Sequence, residues 1–211
     1  MQRVALIDYG SGNLRSAEKA LVRAADGRAE IVVTHDPDIV ASGDRIVLPG
    51  VGAFAACMAA LSARNGVVEA MTQAVRVRGA PFLGICVGMQ LLASRGLEFG
   101  VTPGLGWIAG DVKRITVDDP RLKVPHMGWN TLADVSDLAM LSGAKAGAPV
   151  YFTHSFAMYP EDPADVAAWV EHGGRFPAAV ARDNLVGVQF HPEKSQATGL
   201  RLLADFLEWR P

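Results

Sequence analysis

Four short apolar runs punctuate the first 86 residues, Val4–Ile7, Ile31–Val33, Arg45–Leu48 and Pro81–Cys86, and each gives way to polar or turn-forming residues. Between them, apolar residues recur at helical spacing: Leu14, Ala17, Ala20, Leu21 and Ala24 after the first run, and the stretches 53–63 and 66–78 after the third. Parallel strands need crossover connections, and helices are the usual ones. Short strands alternating with amphipathic helices therefore predict a mostly parallel central sheet with helices on both faces. The turn after the first run, Gly10-Ser11-Gly12-Asn13, places Asn13 or Ser11 to cap the first helix.

The second half has a different rhythm. Segments 107–117, 123–131, 149–156, 166–172, 178–182 and 185–190 read as strands with little helix between them. Trp169–His172 and Ala178–Ala181, joined through Gly173-Gly174, read as a hairpin. This predicts an additional mixed or antiparallel sheet that extends or flanks the parallel core. Thr198–Trp209 closes the chain as an amphipathic helix with Leu200, Leu203, Phe206 and Leu207 on one side. The whole, residues 1–211, is expected to form a single α/β domain.

A net charge of −2 over 211 residues, with no basic run, gives no field for nucleic acid or an anionic membrane. Charged residues interrupt every apolar run before it is long enough to cross a bilayer. Small molecules or another protein are the partners such a surface favours. Cys57 and Cys86 are too few for a disulfide framework, and a reducing cytoplasmic setting is the expectation.

Chemistry concentrates at Gly84-Ile85-Cys86-Val87-Gly88, a G-x-C-x-G elbow where a strand hands over to a helix. Such a turn lifts the sulfur to the carboxyl edge of the sheet, where open α/β sheets form their crevices. Side chains at the flanking glycines would collide with neighbouring backbone, and the helix N-terminus would favour thiolate. The alternative is a buried structural cysteine in a tight turn. His191-Pro192-Glu193 follows another strand, and residues two apart in extended chain share a side. His191 is thereby placed as base, with Glu193 orienting it. An ordinary ion pair at a strand end, or a metal pair, are the competing readings of that tripeptide alone. Together the two motifs make the order Cys86, His191, Glu193 a nucleophile–base–orienter set. No metal and no cofactor are expected.

These motifs resemble the class I glutamine amidotransferases, whose fold is flavodoxin-like, and the likeness runs through nearly the whole chain. It is carried by Asp8–Leu14, Leu48-Pro49-Gly50-Val51-Gly52-Ala53-Phe54, Leu83–Gln90, Val124-Pro125-His126-Met127-Gly128-Trp129-Asn130, Tyr151–Ser155 and Gly187–Ser195. The elbow and His-Pro-Glu mark the superfamily. The Asp8-Tyr9-Gly10 start, the Pro49-Gly50-Val51-Gly52 loop and the Pro125-His126-Met127-Gly128-Trp129-Asn130 segment favour its branch in histidine biosynthesis. The resemblance implies that Cys86 attacks the side-chain amide of glutamine, that His191 protonates departing ammonia and then activates water on the glutamyl thioester, and that Glu193 holds the ring. It implies an oxyanion loop at Gly50, Val51 and Gly52, with the Val51 and Val87 N–H groups as donors. The glycines at 50 and 52 are expected to relieve steric limits on φ. Gln90 and Glu98 would hold the amino-acid head group, with Gly52 and Ser155 completing the pocket.

By the same resemblance Tyr151 gates the ammonia path, and Asn13, Trp129 and Lys194 face a partner. That partner is a (β/α)₈-barrel cyclase subunit that uses ammonia to make imidazole glycerol phosphate and aminoimidazole carboxamide ribotide. The chain is too short to contain a barrel of typically ~250 residues. Cys57 reads as core, His35 and His172 as solvated, and His126 as a packing or partner residue. Phe156 stands where relatives often carry tyrosine. The rival readings are a glutaminase of another class I system, a cysteine peptidase, and an inert binding module with a regulatory cysteine.

Overall fold

A computed structural model describes residues 1–10 and 13–211. The capping expectation for Ser11 lies outside the described residues. Five parallel strands form the core: β1 (Gln2–Ile7), β2 (Ala29–Thr34), β3 (Arg45–Gly50), β4 (Phe82–Cys86) and, from far along the chain, β13 (Leu185–Val188). Val4–Ile7, Ile46–Leu48 and Phe82–Leu83 are wholly buried, so both faces of these strands are covered. Helices α1 (Leu14–Ala25) and α6 (Gln196–Glu208) pack on one another. Helices α2 (Pro37–Ser42), α3 (Phe54–Ser62) and α4 (Val67–Thr72), the last extended by a π turn at Gln73–Val77, form a second group. The two groups account for the two covered faces.

The antiparallel strands continue the same sheet. With β8 (His126–Ala133), β9 (Pro149–His154), β11 (Val166–Glu171) and β12 (Arg175–Arg182), the order is β2-β1-β3-β4-β13-β12-β11-β8-β9. A separate sheet, β10-β7-β5-β6, joins β5 (Arg95–Gly96), β6 (Thr102–Pro103), β7 (Gly110–Arg114) and β10 (Phe156–Pro160). The predicted α/β architecture holds in both parts, and the hairpin closes with Glu171 opposite Arg175.

Several expectations change in detail. The expected strand 149–156 is two strands in two sheets, separated at Ser155. The strand expected at 107–117 begins only at Gly110, because the N–H groups of Trp107 and Ile108 turn back to the Leu92 carbonyl. Helix α2 was not foreseen, although Asp36 caps it and Pro37 opens it. The elbow leads into a single helical turn, α5 (Val87–Gln90), because the carbonyls of Leu91 and Leu92 are taken by Leu105 and Trp107 and the chain peels away. The expected helix after the elbow is thus one turn long.

Candidate active site

At the end of β4 the backbone of Cys86 is forced to φ 54, ψ −110, a conformation that an L-residue adopts only under constraint. The constraint is close packing. A Cβ on Gly84 would stand 2.6 Å from the Gly88 carbonyl oxygen, and one on Gly88 would stand 1.8 Å from that of Leu48. The elbow fits under β3 only because both positions lack side chains. Cys86 is buried but faces a cavity of about 330 Å³.

His191 arrives from the other side. Beyond β13 the chain bends at Gln189 and Phe190 and reaches His191, whose N–H donates to the Tyr151 carbonyl on β9 at 2.9 Å. Pro192–Lys194 then forms a 3₁₀ turn that folds Glu193 back under the ring. The turn, rather than the expected extended alternation, brings the two side chains together. His191 Nδ1 donates to Glu193 Oε1 at 2.6 Å, and both side chains are 1% exposed. Asn13 Nδ2 donates to the same oxygen. Asn13 occupies the cap position of α1 at φ 71, but its side chain makes no cap bond. The sequence reading gave it to a partner or to the cap; the structure commits it to Glu193.

With Nδ1–H held by carboxylate, Nε2 is the ring nitrogen left for chemistry, and it has no hydrogen-bond partner among the described residues. Burial pushes the His191 pKa down, but Cys86 and Glu193 outweigh it and hold the imidazole at about 9. The Glu193 contact is direct. Cys86 is the larger of the two raising influences. Cys86 Sγ itself accepts from Gln189 Nε2 at 3.6 Å.

The cavity gathers most of the residues expected around it. Val51, Gly52 and Val87 line it beside Cys86, and Gln90, Glu98 and Ser155 line it with His191. Tyr9 Oη donates to the Pro49 carbonyl at 2.7 Å and Cys57 Sγ to the Val51 carbonyl at 3.3 Å. Cys57 is core, as expected, but it also tethers the loop. The two loop glycines serve different needs. Gly52 takes φ +102, whereas Gly50 takes no positive φ; a Cβ there would meet Tyr9 Oη at 2.7 Å and the Gly88 nitrogen at 2.8 Å. The expected φ relief applies to Gly52 only, and close approach explains Gly50.

Gln90 is 4% exposed and commits its two N–H groups to the Phe156 carbonyl and to Gln189 Oε1. Glu98 Oε2 accepts from the Phe54 N–H at the start of α3 at 2.9 Å, which anchors its carboxylate at the cavity wall.

Of the residues assigned to an interface, Trp129 is 50% exposed on β8, its ring edge-on to Tyr151 at 5.9 Å. The exposed Lys194 places its amine 5.7 Å from the Tyr151 ring. His172 is half-buried, not solvated as expected: its ring stacks on His126 at 4.1 Å and its Nε2 donates to the Lys123 carbonyl. Sequence reasoning passed over Pro125, Thr153, His154 and Gln189. Gln189 lies two residues before His191 in the quoted segment, which was the available signal.

Comparison with known proteins places this geometry. The family profile described as glutamine amidotransferase class-I matches residues 5–209. The chain is 64% identical to a protein of Caulobacter vibrioides named imidazole glycerol phosphate synthase subunit HisH, covering 100% of both chains. It is 61% identical to the protein of that name from Rhodospirillum rubrum, covering 99% of this chain and 100% of the other. A solved structure titled as a glutamine amidotransferase superposes with a TM-score of 0.72 at 19% identity, covering 97% of each chain. A glutamine amidotransferase from Thermotoga maritima gives 0.63 at 18% identity, covering 91% of this chain and 76% of the other. These solved structures speak for the fold.

Proposed function

The chain belongs to the class-I glutamine amidotransferases, and from that premise we propose that it is the glutaminase subunit of imidazole glycerol phosphate synthase, releasing ammonia from glutamine for histidine biosynthesis. The observation that carries the reading is one cavity in which Cys86 and His191 meet Gln90, Glu98 and the Val51–Gly52 loop. Its volume, about 330 Å³, lies at the lower end for small-molecule pockets.

Cys86 Sγ attacks the amide carbon of glutamine. The imidazole of His191 is held above its ordinary range, so His191 stands ready to protonate ammonia as it leaves. The same Nε2 then takes a proton from the water that hydrolyses the thioester, giving glutamate. Glu193 fixes the Nδ1–H tautomer and stabilises the imidazolium, and Asn13 steadies Glu193. The Val51 and Val87 N–H groups serve the oxyanion, a donor pair worth about 10²–10³ in rate apiece. Gln90 Oε1 and Glu98 suit the substrate ammonium.

Free ammonia is mostly protonated in neutral water and no longer a nucleophile, so its release calls for a docked acceptor. A cyclase (β/α)₈ barrel fits, with Trp129, Tyr151 and Lys194 at the junction. The test is glutamine hydrolysis by wild type and by Cys86→Ala, each with and without the cyclase subunit, together with complementation of a histidine auxotroph. Wild type is expected to be slow alone and strongly activated in the complex, and Cys86→Ala inactive in both. Equal turnover with and without the cyclase subunit would refute the activation, and failure to complement would refute the pathway.

A further inference from the structure

Asn130, on the surface strand β8, begins a run of polar side chains that ends at the sulfur of Cys86. Its Nδ2 donates to the Glu171 carbonyl at 2.8 Å and lies 3.2 Å from His126 Nε2, while its Oδ1 accepts from the Thr131 N–H. The amide is therefore fixed in one orientation. His126 Nδ1 lies 3.1 Å from His154 Nε2, and His154 Nδ1 lies 3.0 Å from the Phe156 carbonyl. A carbonyl only accepts, so His154 carries its proton on Nδ1 and accepts at Nε2. His126 must then donate from Nδ1 and accept from Asn130.

Both rings are neutral. Burial foremost, with neighbouring imidazoles adding to it, holds His126 at about 3 and His154 at about 4. The Phe156 carbonyl also accepts from Gln90 Nε2 at 2.9 Å, and the second N–H of that amide goes to Gln189 Oε1 at 3.0 Å. Gln189 is thereby turned with its Nε2 toward Cys86 Sγ. His126, His154, Gln90 and Gln189 are at most 6% exposed, so water does not compete for these bonds. Reversing any amide or tautomer would set carbonyl against carbonyl or N–H against N–H.

We propose that His154 and Gln189 are positioning residues for the reaction at Cys86: His154 Nδ1 and Gln90 Nε2 converge on the Phe156 carbonyl and hold it in the cavity wall, and Gln90 in turn holds the Gln189 amide donor-side toward the sulfur. The run starts on the strand that also carries the exposed Met127 and Trp129. The Phe156 carbonyl that His154 and Gln90 both hold is thus joined by hydrogen bonds to the face on which a partner would sit. The kinetic consequence rests on the glutaminase reading; the geometry does not.

A network that served stability alone would tolerate an apolar replacement of like shape. The experiment measures kcat and KM for glutamine in the complex with the cyclase subunit. Alongside, it measures the rate at which iodoacetamide alkylates Cys86, resolved by peptide mass. His154→Leu is expected to lower kcat and slow the alkylation by about tenfold. His154→Asn, whose Nδ2 stands in for the ring Nδ1, recovers most of both. Gln189→Glu turns an acceptor toward the sulfur and slows alkylation by about tenfold or more. Wild-type rates in His154→Leu and Gln189→Glu overturn the proposal, as does a loss that is equal in the Leu and Asn variants and tracks their melting temperatures. Should His154→Leu not fold, Gln189→Glu decides. If wild type itself fails to hydrolyse glutamine, the glutaminase reading falls while the alkylation order still judges the positioning.

Discussion

The two halves of the chain supply the candidate site in different ways. The first half contributes backbone: a strained cysteine, two glycines packed too closely against backbone to carry a side chain, and a loop tethered through its carbonyls. The second half contributes polar side chains: His191 over Glu193, just beyond the last parallel strand, and the His126–His154 pair of the antiparallel strands, whose network leads to Gln189. The first is a steric arrangement, and its failure is a folding failure. The second is a set of hydrogen bonds and titrating groups, so it can be altered in activity while the fold survives.

The contrast is sharpest at Gly88. Gly88→Ala drives a methyl against the Leu48 carbonyl at 1.8 Å, and denaturant unfolding should show a loss of about 3 kcal/mol or more, up to failure to accumulate folded protein. Glu193→Gln leaves the same site sterically intact. It should lower kcat for glutamine by about 10³-fold, with a loss of stability well below that of Gly88→Ala, because the imidazole loses the carboxylate that fixes its tautomer and stabilises its charge. A large stability loss in Glu193→Gln would break the division between the halves. Asn13→Ala removes only one of the two donors to Glu193 and should cost about tenfold in kcat, read in the same assay.

Titration separates the histidines further. His191 is held at about 9, above the ordinary 6.5. Its contribution to stability is complete below pH 6.5 and is lost as pH rises through about 9, and activity that needs the imidazolium should fall over the upper part of that range. His126 and His154 are held near 3 and 4. The unfolded chain takes up their protons first, so stability should decline as pH falls from about 6.5 toward 4. Urea unfolding across pH, compared between wild type and His126→Asn, checks the acid limb: the variant should lose less stability on acidification. The same decline in both would remove His126 from the explanation.

Much of this was legible in the residues. The alternation of apolar runs and helical spacing gave the parallel core, and the glycines around Cys86 marked the elbow, because a backbone contact that forbids a Cβ leaves its mark on the local sequence. His-Pro-Glu gave the second half of the pair, although the 3₁₀ turn that joins its members was not read. Less visible was the break at Ser155, since a run of strand-forming residues does not say which sheet will take each half. The commitment of Asn13 to Glu193, 180 residues away, was also hidden, because a side-chain amide bonds whatever the fold brings to it.

By itself the sequence marked Cys86 and His191 and the strands that carry them to one edge, through short-range patterns of size and hydrophobicity. The tertiary structure alone decided which way the amides and imidazoles of the antiparallel arm point, and that His191 is tied to Tyr151 on β9. Hydrogen-bond direction is set by the partner across space, and partners distant in the chain have no local signature.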